Sequence, residues 1–203
     1  MNDRVTTEFA DAQLLNRFRN GDNSAFDYIV DRYQKPLFTY LIRFVGDHQA
    51  AEDIFQDTFL KVLKGLNDYQ EKSKFGNWLF AIAHHLAIDF LRKNGRHQKI
   101  FLDTEGNQDS DSCFEKIAEL NTLPDQNIEQ KELKRILNKT INRLSEEQKE
   151  VFLLREHSDL TFKEIAELLN RPLNTVLAQM RYALLNLRKI LIKEYHGEIS
   201  HVL

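Results

Sequence analysis

The stretch Thr161–Lys193, TFKEIAELLNRPLNTVLAQMRYALLNLRKILIK, carries the punctuation of two helices joined by a tight turn. Thr161 followed three positions later by Glu164 is a capping box, in which a hydroxyl and a carboxylate satisfy free amides at a helix start. The helix opened there buries Ile165, Ala166, Leu168 and Leu169. It is expected to stop near Asn170, which tolerates the left-handed conformation common at helix ends, and Pro172 reinforces the stop. Asn174 reads as the cap of a second helix, along which Val176, Met180, Ala183, Leu187 and Leu191 recur as one apolar stripe.

At about 100° per residue the face opposite that stripe carries Thr175, Ala178, Gln179, Tyr182, Asn186 and Lys189. Between Leu168 and Lys193 there is no Asp or Glu, whereas Arg171, Arg181, Arg188, Lys189 and Lys193 are all present. That bias suits a polyanion. Thr175 and Gln179 fall in the first turns, where a recognition helix meets base edges and where Gln can pair with adenine. Taken alone, the stretch fits a DNA-binding helix-turn-helix or an ordinary antiparallel helix pair in an all-α core.

The 203 residues allow one large domain or two small ones. A formal net charge of -3 argues against nucleic-acid binding by bulk electrostatics alone, so any such contact must be local or helped by a partner. The single cysteine, Cys113, excludes an intramolecular disulfide and a cysteine-based zinc site. The early acids and the lack of a long apolar run predict neither a signal peptide nor a membrane span, and a soluble, cytoplasmic protein.

Upstream, DAQLLNRFRN and SAFDYIVDRYQKPLFTYLIRFV read as two helices, with Phe26, Ile29, Val30, Tyr33, Leu37, Tyr40, Leu41 and Phe44 buried and Pro36 a candidate bend. A third helix, His48 to Lys64, is more informative. Ala51, Ile54, Phe55, Phe59 and Val62 cluster, while Leu60 projects the other way among Asp53, Gln56, Asp57 and Lys64. An exposed leucine ringed by acids is either an ordinary solvated face or a docking site for a partner helix. A fourth helix, Phe75 to Lys93, presents Phe75, Trp78, Leu79, Ile82, Leu86 and Phe90 as its buried stripe. Its other face holds Asn77, Ala81, His84, His85, Ile88 and Arg92, and leads into Lys93 and Arg96. Such a surface suits a phosphate backbone and unstacked bases, or is a solvated basic helix end.

From Ile100 to about Gln126 seven acids face one lysine, which reads as a linker or a segment ordered on binding. The expected domains are therefore 1–98 and 127–203, joined by an acidic segment at 99–126. The second opens with a helix from about Asn127. Ser145 with Gln148 forms a further capping box, and the polar tail after Lys193 is expected to fray. Enzyme signals are poor: Glu198 and His201 form one Glu-x-x-His pair in the tail, and there is no glycine-rich phosphate loop, nucleophile elbow or zinc spacing. No catalytic residue, metal or cofactor is expected.

In order, AAEDIFQDTFLKVL, FGNWLFAIAHHLAIDFLRKNGR, the acidic linker, and LSEEQKEVFLLREHSDLTFKEIAELLNRPLNTVLAQMRYALLNLRK together resemble the bacterial sigma factors of the sigma-70 family. The branch they resemble most is the extracytoplasmic-function (ECF) type, with only the domains called region 2 and region 4. The resemblance implies an all-α fold and a promoter-specificity subunit of RNA polymerase. It assigns Asp53, Gln56, Asp57 and Leu60 to docking on the beta-prime clamp helices of core polymerase. Contact with the minus-ten element falls to Tyr69, Lys72, Ser73, Lys74, Asn77, His84, His85, Ile88, Arg92 and Arg96, with the Asp68–Lys74 loop capturing a flipped base. Contact with the minus-thirty-five element falls to Arg171, Asn174, Thr175, Ala178, Gln179, Arg181 and Tyr182. The beta flap is a further expected partner, and an anti-sigma factor a possible one. Where such recognition helices commonly open Thr-Val-Lys-Ser-Arg, this one reads TVLAQ, which shifts the expected weight to Arg171, Arg181 and the amide of Gln179. A stand-alone helix-turn-helix regulator, with an N-terminal sensor or dimerisation bundle, is the alternative; a helical adaptor without a DNA role is a third.

Overall fold

In a computed structural model the described residues are 9–66, 68–69, 74–94 and 136–199, with side chains described as far as 193. Among them every regular element is an α-helix. They are α1 (Asp11–Arg19), α2 (Ser24–Val45), α3 (His48–Gly65), α4 (Phe75–Lys93), α5 (Glu146–His157), α6 (Phe162–Leu168) and α7 (Leu173–Ile199). Residues 136–142 are also helical and lead into α5.

Local chemistry sets the joints. Gly46, at φ 75°, closes α2 through a 2.9 Å bond from its amide to the Ile42 carbonyl. Asp47 then caps α3 by accepting from the Ala50 amide at 3.0 Å. Pro36 lies within α2, which runs unbroken through it. The Thr161/Glu164 capping box forms as expected, and Asn170 takes the left-handed conformation at φ 50°. The Arg171 and Asn170 amides reach back to the Ala166 and Glu167 carbonyls at 2.9 and 3.2 Å, a Schellman closure that fixes the turn before α7.

Three expectations are corrected. The second helix of the pair starts at Leu173, so Asn174 lies inside its first turn instead of capping it. Backbone helix continues to Ile199, through the polar tail that is expected from its sequence to fray. Ser145 caps α5, accepting from the Gln148 amide at 3.4 Å, but the Gln148 side chain turns to Asn186 of α7 at 3.0 Å.

α2 is the central beam. Ile29, Leu37, Tyr40, Leu41 and Ile42 are fully buried, and α1, α3, α4 and α5 all pack on it. Apolar burial is the main favourable term in such a bundle. In α4 the buried positions are Phe75, Gly76, Leu79, Phe80, Ala83, Ala87 and Leu91 together with Asn77 and His84, so Phe75 and Leu79 hold as expected, whereas Trp78, Ile82, Leu86 and Phe90 are only half-buried. The stripe has turned because the helix is covered on a second side. Its cover is the C-terminal domain, and one apolar cluster runs from Leu14 through α4 to Val151, Ile165 and Leu187.

Candidate nucleic-acid and polymerase interface

On α3 the side chains of Asp53, Gln56, Asp57 and Leu60 are all exposed, Leu60 by 53 %. Helical spacing from 53 through 56, 57 and 60 puts them on one face, away from buried Ile54, Thr58 and Val62. Leu63, 39 % exposed, extends the apolar centre of this patch and was missed in the sequence because it also fits the buried stripe.

The loop after α3 is pinned from below by Arg19, whose Nη2 donates to the Leu66 and Tyr69 carbonyls at 2.8 Å each. Tyr69 is buried, stacked on Trp78 at 4.7 Å between ring centres. Lys72, Ser73 and Arg96 lie outside the described residues. Lys74, His85 and Arg92 are exposed and Ile88 is half-buried, with Arg92 3.6 Å from Asp89. A cleft of about 700 Å³ opens beside Lys74 and Asn77, walled by Arg32 and Tyr33 on one side and His157–Asp159 on the other.

Asn77 and His84 face the C-terminal domain and are buried there, 6 % and 4 % exposed. Asn77 Nδ2 donates to Glu164 Oε1. Tyr40 Oη and His84 Nδ1 are 2.8 Å apart, and His84 Nε2 is 3.3 Å from Glu150 Oε1. Burial first, then the charges of His85 and Arg171, push the His84 imidazole down to about 3, so the ring is neutral at ordinary pH. Burial and the charge of Glu150 hold the Tyr40 hydroxyl well above its usual range, so it is a donor. The network therefore sets the tautomer: Tyr40 donates to Nδ1, and Nε2–H donates to Glu150.

In the helix-turn-helix, Asn174, Thr175, Ala178, Arg181 and Tyr182 are exposed along α7, and Gln179 is half-buried. Arg171, from the turn, reaches Glu150 Oε2 through Nη2 at 2.7 Å and Gln179 Oε1 through Nη1 at 3.4 Å. The expected buried stripe holds: Val176, Ala183 and Leu187 are buried and Met180 and Leu191 partly so. Yet α7 also exposes Leu173, Leu177, Leu184, Leu185 and Ile192, an apolar ridge beside the polar face. Among the described residues no group of three or more His, Cys, Asp or Glu could hold a metal ion, and no helix is long and apolar enough to cross a membrane.

An all-helical pair of domains, the second a helix-turn-helix with exposed polar and cationic side chains on its second helix, defines a DNA-binding protein built for a partner as well as for DNA. Residues 29–97 match the family model described as Sigma-70 region 2, and residues 134–187 that described as Sigma-70, region 4. The chain is 30% identical over 174 residues to the RNA polymerase sigma-H factor of Pseudomonas aeruginosa, covering 85% of this chain and 89% of that one. It is 30% identical to the ECF RNA polymerase sigma-E factor of Haemophilus influenzae (85% and 90% covered) and 29% identical to the ECF RNA polymerase sigma factor SigW of Bacillus subtilis (86% and 93% covered). Two solved structures share the fold. One is the sigma factor RpoE in complex with the anti-sigma factor NepR from Bartonella quintana, at TM-score 0.59, 19% identity and 82% and 96% coverage. The other is CnrH in complex with the cytosolic domain of CnrY, at TM-score 0.62, 20% identity and 91% and 99% coverage. The chain belongs to the sigma-70 family, in its ECF branch, and is a promoter-recognition subunit of RNA polymerase that initiates transcription.

Proposed function

We propose a division of labour by residue, with no chemistry of the chain's own. Asp53, Gln56, Asp57 and Leu60 dock on the beta-prime clamp helices of core polymerase: the leucine supplies the desolvated centre and the acids the rim and register. The observation that carries this is Leu60, a large apolar side chain exposed beside Leu63 and rimmed by Asp53, Gln56 and Asp57. A stand-alone regulator has no use for it.

Within the holoenzyme, Lys74, Asn77, His84, His85, Ile88 and Arg92 face the minus-ten element, with the Asp68–Lys74 loop, including Tyr69, Lys72 and Ser73, taking the unstacked base and Arg96 holding backbone phosphate. Thr175, Ala178, Gln179 and Tyr182 enter the major groove at the minus-thirty-five element, with Arg171, Asn174 and Arg181 on base edge or phosphate. The C-terminal domain meets the beta flap, and an anti-sigma factor is a further partner. The modest negative charge fits a subunit whose DNA affinity is completed by polymerase. The site of action is the cytoplasm.

The test is transcription from a promoter library by purified core polymerase, with and without the chain. Defined new starts preceded by a shared two-part motif are expected. No gain in initiation, together with tight binding of the chain alone to duplex DNA, would overturn the docking assignment in favour of a stand-alone regulator.

A further inference from the structure

A glutamine amide free to turn reads adenine, its oxygen accepting from the N6 amino group and its nitrogen donating to N7. Gln179 is not free to turn. Arg171 Nη1 faces its Oε1 at 3.4 Å, and Nη2 of the same guanidinium is held by Glu150 Oε2 at 2.7 Å. The contact to Gln179 is long, but chemistry fixes its sense: a guanidinium carries donors alone, so the amide atom turned to it is the oxygen. What is left for the base is the amide nitrogen, which can only donate. We propose that Glu150 and Arg171 hold Gln179 as a donor-only reader, so that the base it meets in the minus-thirty-five element is a keto base, guanine ahead of thymine, and not adenine. This rests on the minus-thirty-five reading above and names the base class for it.

Arg171 is fixed at both ends. Its amide closes the turn on the Ala166 carbonyl at 2.9 Å, and its guanidinium is anchored by a charge-assisted bond to a carboxylate that is itself buried, Glu150 being 7 % exposed. Glu150, Arg171 and Gln179 belong to α5, the turn and α7 of one domain, so the relay needs nothing from the N-terminal helices. With one terminal nitrogen on Glu150 and the other on Gln179, Arg171 acts on the base through its neighbour, which leaves phosphate as its own direct contact. The base edges then sort. Guanine offers two adjacent acceptors, O6 and N7, to the two amide hydrogens, and thymine offers O4. Adenine sets its N6 donor against the Gln179 donor, and cytosine shows a donor only. No carboxylate between Leu168 and Lys193 stands ready to accept from either amino group. Turning the amide over to suit adenine would set its NH2 against the guanidinium, donor against donor.

The test uses the full chain with core polymerase, on a promoter carrying each of the four bases in turn at every position of its upstream element. The readout is the initiation rate at limiting holoenzyme. Gln179→Ala marks the position read, as the one where preference between bases collapses. There the wild-type chain is expected to favour guanine over adenine about 5- to 150-fold. Arg171→Lys keeps a charge opposite Glu150 but loses the fork that spans Glu150 and Gln179. It is expected to bring adenine level with guanine or above it at that position and to leave preferences elsewhere unchanged, whereas structural damage alone would lower all four bases alike. Gln179→Lys, a donor whatever its neighbour, is expected to keep the guanine preference with or without Arg171→Lys. Adenine preferred by the wild-type chain at that position, or an active Arg171→Lys chain with the wild-type order of bases, would overturn the proposal. So would a Gln179→Ala chain that keeps every preference. If Arg171→Lys is inactive, the wild-type order and Gln179→Lys decide. A wild-type chain that is indifferent to every upstream base, or directs no initiation, overturns the minus-thirty-five reading instead.

Discussion

Arg171 and Glu150 form a 2.7 Å ion pair within the helix-turn-helix domain, and the same arginine donates to the amide oxygen of Gln179 at 3.4 Å. The turn between α6 and α7 is therefore tied both to the scaffold helix α5 and to the first turns of the recognition helix. With Gln179 Oε1 held by the guanidinium, its Nε2 is the group left to meet a base acceptor.

Replacing Gln179 by alanine removes that donor. Initiation through the upstream promoter element is expected to weaken by about 1 to 3 kcal/mol on promoters carrying the matching base. Transcription titrations on promoters with that single base changed are the check: an equal loss on all of them would show an effect that reads no base.

Leu60→Asp places a charge in the centre of an exposed patch. Thermal stability is expected to stay within about 0.5 kcal/mol of wild type, since no core contact is lost. Affinity for core polymerase is expected to disappear, and measuring both quantities on one preparation separates docking from folding.

Gly76→Ala tests the seam between α4 and α2. A Cβ there would lie 2.9 Å from Tyr33 Oη and 3.0 Å from its Cε1, and that ring is held by a 2.5 Å bond to Asp11. Overpacking of this kind costs about 1 to 3 kcal/mol, against about 1 kcal/mol gained in helix propensity. A net destabilisation of up to about 2 kcal/mol is expected in denaturant unfolding.

The fold is expected to be acid-sensitive. Unfolded histidine titrates near about 6.5, whereas burial holds His84 at about 3 and His157 at about 4 in the native state. Between those values the unfolded chain binds more protons, so stability rises with pH there and is lost as pH falls. Unfolding midpoints from pH 7.5 down to 4.5 are expected to decline below about pH 6.5. Substituting His157 by glutamine is expected to flatten part of that slope.

Much of this was written in the sequence, because helix periodicity, capping boxes and a left-handed asparagine act within a few residues. Phe75 to Lys93 and the Thr161 cap were legible to the residue for that reason. The fate of Asn77 and His84 was not. Periodicity placed them on the polar side of α4, correctly as to direction, but said nothing of a carboxylate 66 residues from His84 lying across that side. Glu150 itself gave no signal, being one acid among several in EEQKEVFLLRE, and only packing of α5 on α2 makes it central. The start of α7 was misjudged because Asn174 is a good cap, yet the turn set by Asn170 and Pro172 already delivers the chain in helical register at Leu173.

The leucine ridge on α7 has a practical consequence for anyone handling the free subunit. Leu173, Leu177 and Leu184 lie within about 40° of one another around the helix and are open to water. The formal net charge of -3 at pH 7 falls toward zero near the sequence pI of about 6.2, where repulsion between molecules is least. The ridge is therefore an apolar surface on which free molecules can associate, most readily where net charge is smallest. Net charge is smallest near pH 6.2 and grows as pH moves away from it, so mildly alkaline buffers favour the dispersed chain.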